Sequence, residues 1–491
     1  MSYWLEIFLV VPVIACLAIV VGAPAKRTAL LATLINLIGS LALAIGFDVE
    51  ANGFQFANKC SAGNLAGFFE ITWHLGVDGL SLPLVLLTTV VSFVAVCVAH
   101  EDVKRAKEFY ICILLVSLGG LGAFLSVDLF FLYVFHEVAL IPTFLLIGIW
   151  GTHDRKFAAT QMTLYLMLGS MILLAGLLAF YFYLPDGLRT FNLETIQNEL
   201  PKNWFRTEQQ AIIFPLLLVG FGILISLWPF HSWAPRGYAT SPVSAVMLHA
   251  GVLKKFGLYG LIRLAVPYLP EGVDKFLTPL LVLLLFNVLY VGLVTIWQKE
   301  LNLMLGYSSV MHMGYLFLGF ASMNVIGVSG MVVLMVAHGL SAALLFGLAG
   351  EIRERVGTLR MSETGGLASK APWLSFYFIV GAMASIGLPG LGNFAGELMI
   401  YFGAWKAELY WATILAVWGI VISAVYMLRA VRNICFGELS EQVVQVKDLD
   451  LTKSAPYLLL VLGLVIVGVF PNVILQWVEP VVSTLLGKGG A

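Results

Sequence analysis

Charged residues are scarce in this chain of 491 residues. Only 11% are Asp, Glu, Lys or Arg, whereas 60% are hydrophobic and the mean hydropathy is +0.95. A soluble domain is typically about 45–50% apolar and about 25% charged. This composition excludes a water-soluble enzyme and a disordered chain. The formal net charge of −1 provides no general basic field for nucleic acid. The sequence therefore predicts an integral membrane protein.

Cysteine is also rare and widely spaced. The five cysteines are Cys16, Cys60, Cys97, Cys112 and Cys435. They show neither C-x-x-C spacing nor an even-numbered framework, so they indicate no disulfide scaffold, zinc site or iron–sulfur site. We expect no metal to be bound by this chain.

Long apolar runs predict an all-α polytopic fold. A helix needs about 20 mostly apolar residues to cross a hydrocarbon layer of roughly 30 Å. A membrane barrel would instead show weak alternation over about ten residues. The chain contains fourteen candidate spans: 4–22, 28–47, 79–98, 109–127, 129–150, 159–183, 211–234, 241–266, 275–297, 301–320, 326–350, 372–404, 409–434 and 455–477.

Lysine and arginine predict the orientation of these spans. Most of the 27 cations lie on one alternate set of connections, which the positive-inside rule makes cytoplasmic. With fourteen spans, both termini then lie outside the cytoplasm, in a bacterial-type inner (plasma) membrane. The two longer outer connections, 48–78 and 184–210, are predicted to be ordinary amphipathic loops.

Five ionisable residues lie deep inside predicted spans. They are Glu137 in span five, Lys255 in span eight, His312 in span ten, His338 in span eleven and Glu397 in span twelve. A charge at that depth costs at least about 2.5–3.5 kcal/mol on insertion scales, so such groups normally face a bundle interior or a hydrated cavity. Alternating acids and bases at similar depth favour a proton path over structural pairing. Haem ligation by the histidines is the less favoured reading.

Two spans are interrupted by proline and glycine. The interruptions are residues 228–237 in span seven and 387–393 in span twelve. Backbone groups released in this way are tolerated in a membrane only beside protein or a cavity. Matched interruptions indicate an inverted repeat of spans four to eight and nine to thirteen. The predicted units are 1–108 (spans one to three), 109–266 (first repeat), 274–434 (second repeat) and 435–491 (cytoplasmic loop and last span).

Five segments are distinctive enough to suggest a family. They are Asp78–Ser81, Pro229–Trp233, Tyr307–Gly314, His338–Ser341 and Gly387–Glu397. Together they resemble the antiporter-like membrane subunits of respiratory complex I, the proton-translocating NADH:quinone oxidoreductase, and among these the M type, called chain 4 in mitochondria. The resemblance covers nearly the whole chain. It implies fourteen helices, an inverted repeat and one proton-translocating unit within a large assembly.

The resemblance also assigns roles to single residues. It places the family's proton-path residues on Glu137, Lys255, His312, His338 and Glu397, and the histidine after the span-seven break on His231. It implies that NADH, FMN, iron–sulfur clusters and quinone belong to partner subunits and that this chain binds no cofactor. Other membrane-arm subunits, including neighbouring antiporter-like subunits, are the implied partners.

Three positions depart from the family pattern. Leu224 and Asn302 replace lysines of the family, and Arg236 replaces an aspartate. The family's span-seven lysine normally pairs with the span-five glutamate, so Glu137 lacks its usual cation. Because adjacent residues point about 100° apart on a helix, we expect Lys254 to reach toward spans five and seven as a substitute.

Three functional readings follow. The favoured one is a proton-translocating subunit of complex I, in which redox-driven charge changes move protons along the mid-membrane row. The second is a subunit of a multisubunit sodium/proton antiporter or of a membrane-bound hydrogenase, because these share the fold. The third is a scaffold whose polar residues merely pair.

Overall fold

The computed structural model describes residues 3–51, 53–65, 69–100, 103–152, 154–201 and 203–487. Helices dominate this part of the chain. The α-helices are α1 (Trp4–Val21), α2 (Ala25–Ile45), α3 (Leu82–Val98), α4 (Ala106–Leu125), α5 (Leu129–Trp150), α6 (Arg155–Phe182), α7 (Leu193–Glu199), α8 (Thr207–Ile225), α9 (Trp233–Thr240), α10 (Val243–Leu248), α11 (Lys255–Tyr268), α12 (Pro270–Lys275), α13 (Leu277–Leu285), α14 (Gly292–Ile296), α15 (Leu301–Ala321), α16 (Val325–Val356), α17 (Leu367–Lys370), α18 (Pro372–Ile386), α19 (Gly392–Lys406), α20 (Tyr410–Cys435), α21 (Leu451–Val469) and α22 (Asn472–Leu485).

The predicted all-α membrane architecture is confirmed. Twelve helical segments of the described chain are long and apolar enough to cross a membrane. The other two predicted spans coincide with the shorter apolar helix α3 and with the interrupted pair α18 and α19. Span eight runs from Val243 to Tyr268 through a π-helical segment, His249–Leu253, and span nine contains a second one, Phe286–Val291.

The loop prediction for residues 48–78 is wrong. Strands β1 (Gln55–Leu65) and β2 (Phe69–Val77) form an antiparallel hairpin in which Gln55 pairs with Val77. The hairpin is stabilised by burial, because the inner part of β2 lies against the helix bundle. Alternating apolar and polar residues in β2 are the strand signal that this prediction overlooked.

Helices α15 and α16 form the centre of the bundle. Nearly all of their residues are buried, as are those of α10 and α11, whereas α1 and α2 expose one apolar side. A helix that is hydrophobic and buried on all sides occupies the core of a bundle. The deep ionisable residues of spans eight, ten and eleven therefore lie inside protein and away from lipid.

The two interrupted spans break in the same manner. Helix α8 ends before Ser226, which has a φ of 69°, and α18 ends before Gly387, which has a φ of 85°. In each case a proline follows within three residues, and a second helix begins after a short turn. This likeness supports the predicted inverted repeat, whose boundaries remain a prediction.

Candidate functional site

Lys255 and His338 are joined by a hydrogen bond in the bundle core. The ammonium Nζ of Lys255 lies 3.0 Å from Nδ1 of His338 and donates to the carbonyl oxygen of Ala250 at 2.6 Å. Ala250 lies in the π-helical segment, where the wider turn changes the pairing of the backbone carbonyls. An irregular turn of the helix thus gives the buried ammonium a main-chain acceptor.

Both ring nitrogens of His312 face carbonyl oxygens. Nδ1 lies 2.8 Å from the oxygen of Ser308, and Nε2 lies 2.9 Å from the oxygen of Ser385. A carbonyl oxygen can only accept, so both hydrogen bonds form together only when each ring nitrogen carries a proton. The site is therefore shaped to hold an imidazolium.

The Ser385 carbonyl is free because of the break in span twelve. In a continuous helix this oxygen would accept from the amide four residues later. That residue is Pro389, which has no N–H. The proline therefore leaves the oxygen available to His312.

Glu397 completes the row on the far side of His312. Its Oε1 lies 3.8 Å from Nε2 of His312, and the rings of His312 and His338 are 5.5 Å apart between centroids. A side chain at Gly387 would place its Cβ 2.8 Å from Oε2 of Glu397. The glycine thus provides both the left-handed turn and the space for the carboxyl group. The structure brings Lys255, His338, His312 and Glu397 together in one continuous row.

Glu137 lies apart from this row. Its Oε1 is 3.4 Å from Nδ1 of His136, and the Glu137 side chain is 32% exposed. The His136 ring stacks on Phe256 with centroids 4.3 Å apart. A neighbouring histidine, rather than a lysine, is therefore the nearest nitrogen partner of this carboxylate within the described chain. Leu224, where the family pattern has lysine, is buried in apolar surroundings.

The expectation that Lys254 reaches toward Glu137 is wrong. Its Nζ donates to Oγ of Ser309 at 3.4 Å and lies 5.1 Å from the centroid of the Tyr238 ring. The Tyr238 hydroxyl is in turn 3.1 Å from Nδ1 of His249. An aromatic face and a hydroxyl attract a buried ammonium more than the apolar side chains of span seven do. Lys254 therefore points toward α9 and α15.

A small cavity lies between Lys254 and the row. It measures about 10 Å³, which is about the size needed for one water molecule. Its polar lining is supplied by Ser308, Ser309, His338, Ser341 and Ser385. Because Ser309 also binds Lys254, this cavity connects the Lys254 side of the bundle with His338.

The remaining predicted positions lie at the span-seven break and near it. His231 is half-buried in the turn between α8 and α9, and its Nδ1 has no hydrogen-bond partner among the described residues. Asn302 donates to the carbonyl oxygen of Ala239 at 3.4 Å. Arg236 is exposed, with its guanidinium 5.6 Å from the Phe157 ring centroid. None of these contacts joins the row.

Sequence reasoning missed several buried polar partners. They are His136, Tyr238, His249 and Ser309. His249 was detectable, because it is a further ionisable residue inside span eight, six positions before Lys255. No cluster of three or more His, Cys, Asp or Glu suited to a metal ion occurs in the described part of the chain.

Comparisons with known proteins identify the family. Residues 126–423 match the family described as "NADH:quinone oxidoreductase/Mrp antiporter, TM". The chain belongs to this family. It is 32% identical over 462 residues to NADH-quinone oxidoreductase subunit M of Rickettsia bellii, covering 94% of this chain and 92% of the relative. It is 34% identical to NAD(P)H-quinone oxidoreductase chain 4 of Gloeobacter violaceus, covering 91% and 85%.

Two solved structures share the fold. A chain of respiratory complex I from Thermus thermophilus superposes with a TM-score of 0.89 at 30% identity, covering 99% of this chain and 100% of that one. A chain of the Mrp complex from Dietzia superposes with a TM-score of 0.84, covering 99% and 97%. At 21% identity the second match shows the fold alone. The predicted resemblance to antiporter-like subunits of complex I is thus confirmed.

Proposed function

We propose that this chain is a proton-translocating membrane subunit of NADH:quinone oxidoreductase. The observation that carries the proposal is the contiguous buried row from Lys255 through His338 and His312 to Glu397. The subunit names and coverage of the relatives support the placement in this enzyme complex.

Proton transfer along the row follows from its donors and acceptors. The Lys255 ammonium donates toward Nδ1 of His338, and the neutral amine left behind takes up the next proton. His312 holds a transferred proton between two carbonyl oxygens, with the Glu397 carboxylate beside it as the counter-ion. Each step moves one proton and returns its donor to the starting state when the next proton arrives.

Lys254 and Glu137 extend the path beyond the row. Lys254 joins through Ser309 and the serine-lined cavity, which brings its proton to the same histidine as Lys255. Glu137 with His136 forms a separate acid–base pair that responds to charge at the neighbouring subunit. His231 at the span-seven break is a lower-ranking member, because it lies where released backbone admits water.

The assembly supplies the redox chemistry. NADH, FMN, iron–sulfur clusters and quinone bind to partner subunits, and this chain converts their charge changes into proton movement. Its neighbours are other membrane-arm subunits, including further antiporter-like ones. The chain crosses a bacterial-type inner membrane with both termini outside the cytoplasm, as the distribution of cations indicates.

Carboxyl-to-amide variants test the proposal in the assembled complex reconstituted in vesicles. We expect Glu397→Gln to abolish proton uptake through this subunit and Glu137→Gln to reduce it strongly, while assembly persists. Glu354→Gln is the matched control, since Glu354 is exposed and paired with His100 at 3.4 Å. Normal pumping by Glu397→Gln would leave the row a structural scaffold.

A second candidate is a subunit of a multisubunit sodium/proton antiporter or of a membrane-bound hydrogenase. This second candidate is supported by the fold that the chain shares with the Dietzia Mrp chain. Affinity purification of the native complex distinguishes the two. Co-purification of an NADH-oxidising peripheral arm supports the first candidate, and a complex without NADH oxidation supports the second.

A further inference from the structure

Asn287 connects the break in span seven to helix α15. It lies in the π-helical segment Phe286–Val291 of span nine and is fully buried, with an exposed fraction of 0%. Its Oδ1 accepts from the amide of Trp228 at 2.6 Å. Its Nδ2 donates to the carbonyl oxygens of Ser226 at 3.2 Å and of Val310 at 3.0 Å. One side chain thus binds two residues of the break and one residue of α15.

The partners fix the orientation of the Asn287 amide. A backbone N–H can only donate and a backbone carbonyl oxygen can only accept, so Oδ1 faces Trp228 and Nδ2 faces the two oxygens. Both amide hydrogens and the amide oxygen are therefore used. An aspartate would keep the shape but lack both donors, and a leucine of similar volume would lack all three contacts.

The carbonyl oxygen of Ser226 is available because α8 ends there. Ser226 has a φ of 69°, in the left-handed region, so the chain leaves the helix. In a continuous helix this oxygen would accept from the amide of Phe230, which instead donates to the carbonyl oxygen of Leu227 at 2.8 Å. A buried carbonyl without a partner is costly. Asn287 supplies the missing donor.

Span nine meets α15 at a glycine beside Asn287. A Cβ on Gly314 would lie 2.6 Å from Cγ2 of Val288 and 2.7 Å from the carbonyl oxygen of Leu284, both on span nine. A larger residue would hold the two helices apart at this point. The close approach brings Nδ2 of Asn287 within reach of Val310, which lies one turn before the glycine on α15.

Phe286, the residue before Asn287, contacts the break as well. Its ring stacks on that of Trp228, with the centroids 4.2 Å apart and the planes inclined by 16°. Span nine therefore holds Trp228 by its ring and by its amide. The break cannot move relative to span nine without loss of both contacts.

We propose that Asn287 is a positioning residue that holds the span-seven break in register with the part of α15 that contacts the row. Val310 follows Ser309, which accepts from Lys254, and precedes His312 by two residues. Displacement of this turn would change the distances from Ser309 to Lys254 and from His312 to its carbonyl partners. The inference rests on the proposed function, because proton transfer along the row is the process that this positioning serves.

The two breaks are held by side chains of different chemistry. At span twelve the free oxygen of Ser385 faces Nε2 of His312, which can gain and lose a proton. At span seven the free oxygen of Ser226 faces the Asn287 amide, which does not titrate. The contact at span seven therefore persists while protons move, whereas the contact at span twelve depends on the protonation of His312.

Asn287→Leu is the principal test, because it removes all three hydrogen bonds with little change of volume. In the assembled complex reconstituted in vesicles, we expect the rate of proton pumping to fall several-fold. NADH oxidation with a soluble electron acceptor should be retained, since under the proposed function that reaction takes place in partner subunits.

Asn36→Leu is the matched control. Asn36 is a buried asparagine of α2 whose Nδ2 donates to the carbonyl oxygen of Phe8 on α1 at 3.1 Å, so it also joins two spans through a backbone oxygen. Both variants should lower the melting temperature of the complex. Only Asn287→Leu should slow proton pumping.

Asn287→Asp separates the two halves of the contact. The carboxylate can still accept from the Trp228 amide but cannot donate to the oxygens of Ser226 and Val310. Hydrogen exchange at the Trp228 amide should therefore stay slow in Asn287→Asp and become faster in Asn287→Leu. Pumping should fall in both variants, because both lose the link to α15.

Comparison with Glu397→Gln distinguishes this inference from the proposed function. If Glu397→Gln stops pumping and both Asn287 variants pump at the unmodified rate, only the positioning role fails. If none of the three variants affects pumping, the proposed function fails as well. Equal loss of pumping in Asn287→Leu and Asn36→Leu, or loss of assembly in both Asn287 variants, would assign Asn287 to stability alone and overturn the positioning role.

Discussion

The Nε2 nitrogen of His312 lies 2.9 Å from the carbonyl oxygen of Ser385, across the break in span twelve. This contact joins a titratable side chain to a backbone group that a continuous helix would have occupied. It depends on Pro389, four residues after Ser385, which cannot donate to that oxygen. The break in the helix thereby supplies a contact to the proposed proton path as well as shaping the fold.

Pro389→Ala tests this dependence. The substitution restores an amide that can compete with His312 for the Ser385 oxygen, so we expect slower proton pumping in the assembled complex. Pro456→Ala, within α21, is the control for the loss of a proline from a span. Pumping by Pro389→Ala equal to that of the unmodified complex would show that the contact is dispensable.

Lys254→Met is expected to impair proton pumping while the complex still assembles. The methionine keeps the apolar length of the side chain but removes the ammonium that binds Ser309. Ser309→Ala should have a smaller effect in the same direction, because it removes one hydroxyl from the polar lining of the water-sized cavity. Ser329→Ala is a suitable control, since Ser329 is fully buried on α16 and does not line this cavity. Unchanged pumping by Lys254→Met would exclude this lysine from the path.

Arg263→Leu is expected to destabilise the protein. The guanidinium forms two hydrogen bonds with the Asp78 carboxylate, at 2.6 and 2.5 Å, and both residues are buried. Removing one partner of a buried ion pair typically costs about 3–5 kcal/mol, because the other charge is left uncompensated. Thermal melting of the purified complex measures the loss. The double variant Arg263→Leu with Asp78→Asn should recover part of it, and failure to recover would argue against an electrostatic cause.

Stability should also depend on pH through Asp128, which precedes span five. Its carboxylate accepts from the amides of Thr72 and Phe130, yet burial raises its pKa to about 6. The native state therefore binds this proton more tightly than the unfolded state. The contribution of protonated Asp128 to the stability of the folded state is greatest below pH 4 and is lost as the pH rises through about 6. By linkage the difference amounts to about 3 kcal/mol.

Comparison with Asp128→Asn isolates this contribution. Burial lowers the pKa of His74, which lies in the hairpin that contacts Asp128. Protonation of His74 therefore destabilises both proteins at acid pH and opposes the stabilisation by Asp128. As the pH falls from 7.5 to 5, the melting temperature of the unmodified complex should rise relative to that of the Asp128→Asn variant. A constant difference across this range would contradict the shift at Asp128.

The sequence predicted the spans well because burial in a membrane imposes long apolar runs. It also singled out Lys255, His312, His338 and Glu397 as deep ionisable residues, and the structure places them together; their role in proton transfer stays a prediction. It did not predict the hairpin at 55–77, whose burial depends on the bundle. The hydrogen-bond partners of Lys255 and His312 could not be predicted from the sequence either, because they are the backbone oxygens of Ala250 and Ser385.

The direction of Lys254 could not be read from helical geometry alone. The π-helical segment just before it changes the local turn, and the position of the Tyr238 ring depends on how α9 folds back on the bundle. The pairing of Glu137 with His136 was overlooked for a different reason. The family pattern indicates a lysine partner at position 224, whereas the residue adjacent to Glu137 in the chain carries a nitrogen within reach.

The acceptors at Ala250 and Ser385 belong to the polypeptide backbone. Mutation can exchange the side chain at either site without deleting the oxygen, provided that the local winding of the helix survives. Substitutions that restore regular winding of the helix should therefore impair proton transfer more than changes of residue type at these two positions. The vulnerable element is the irregular path of the main chain.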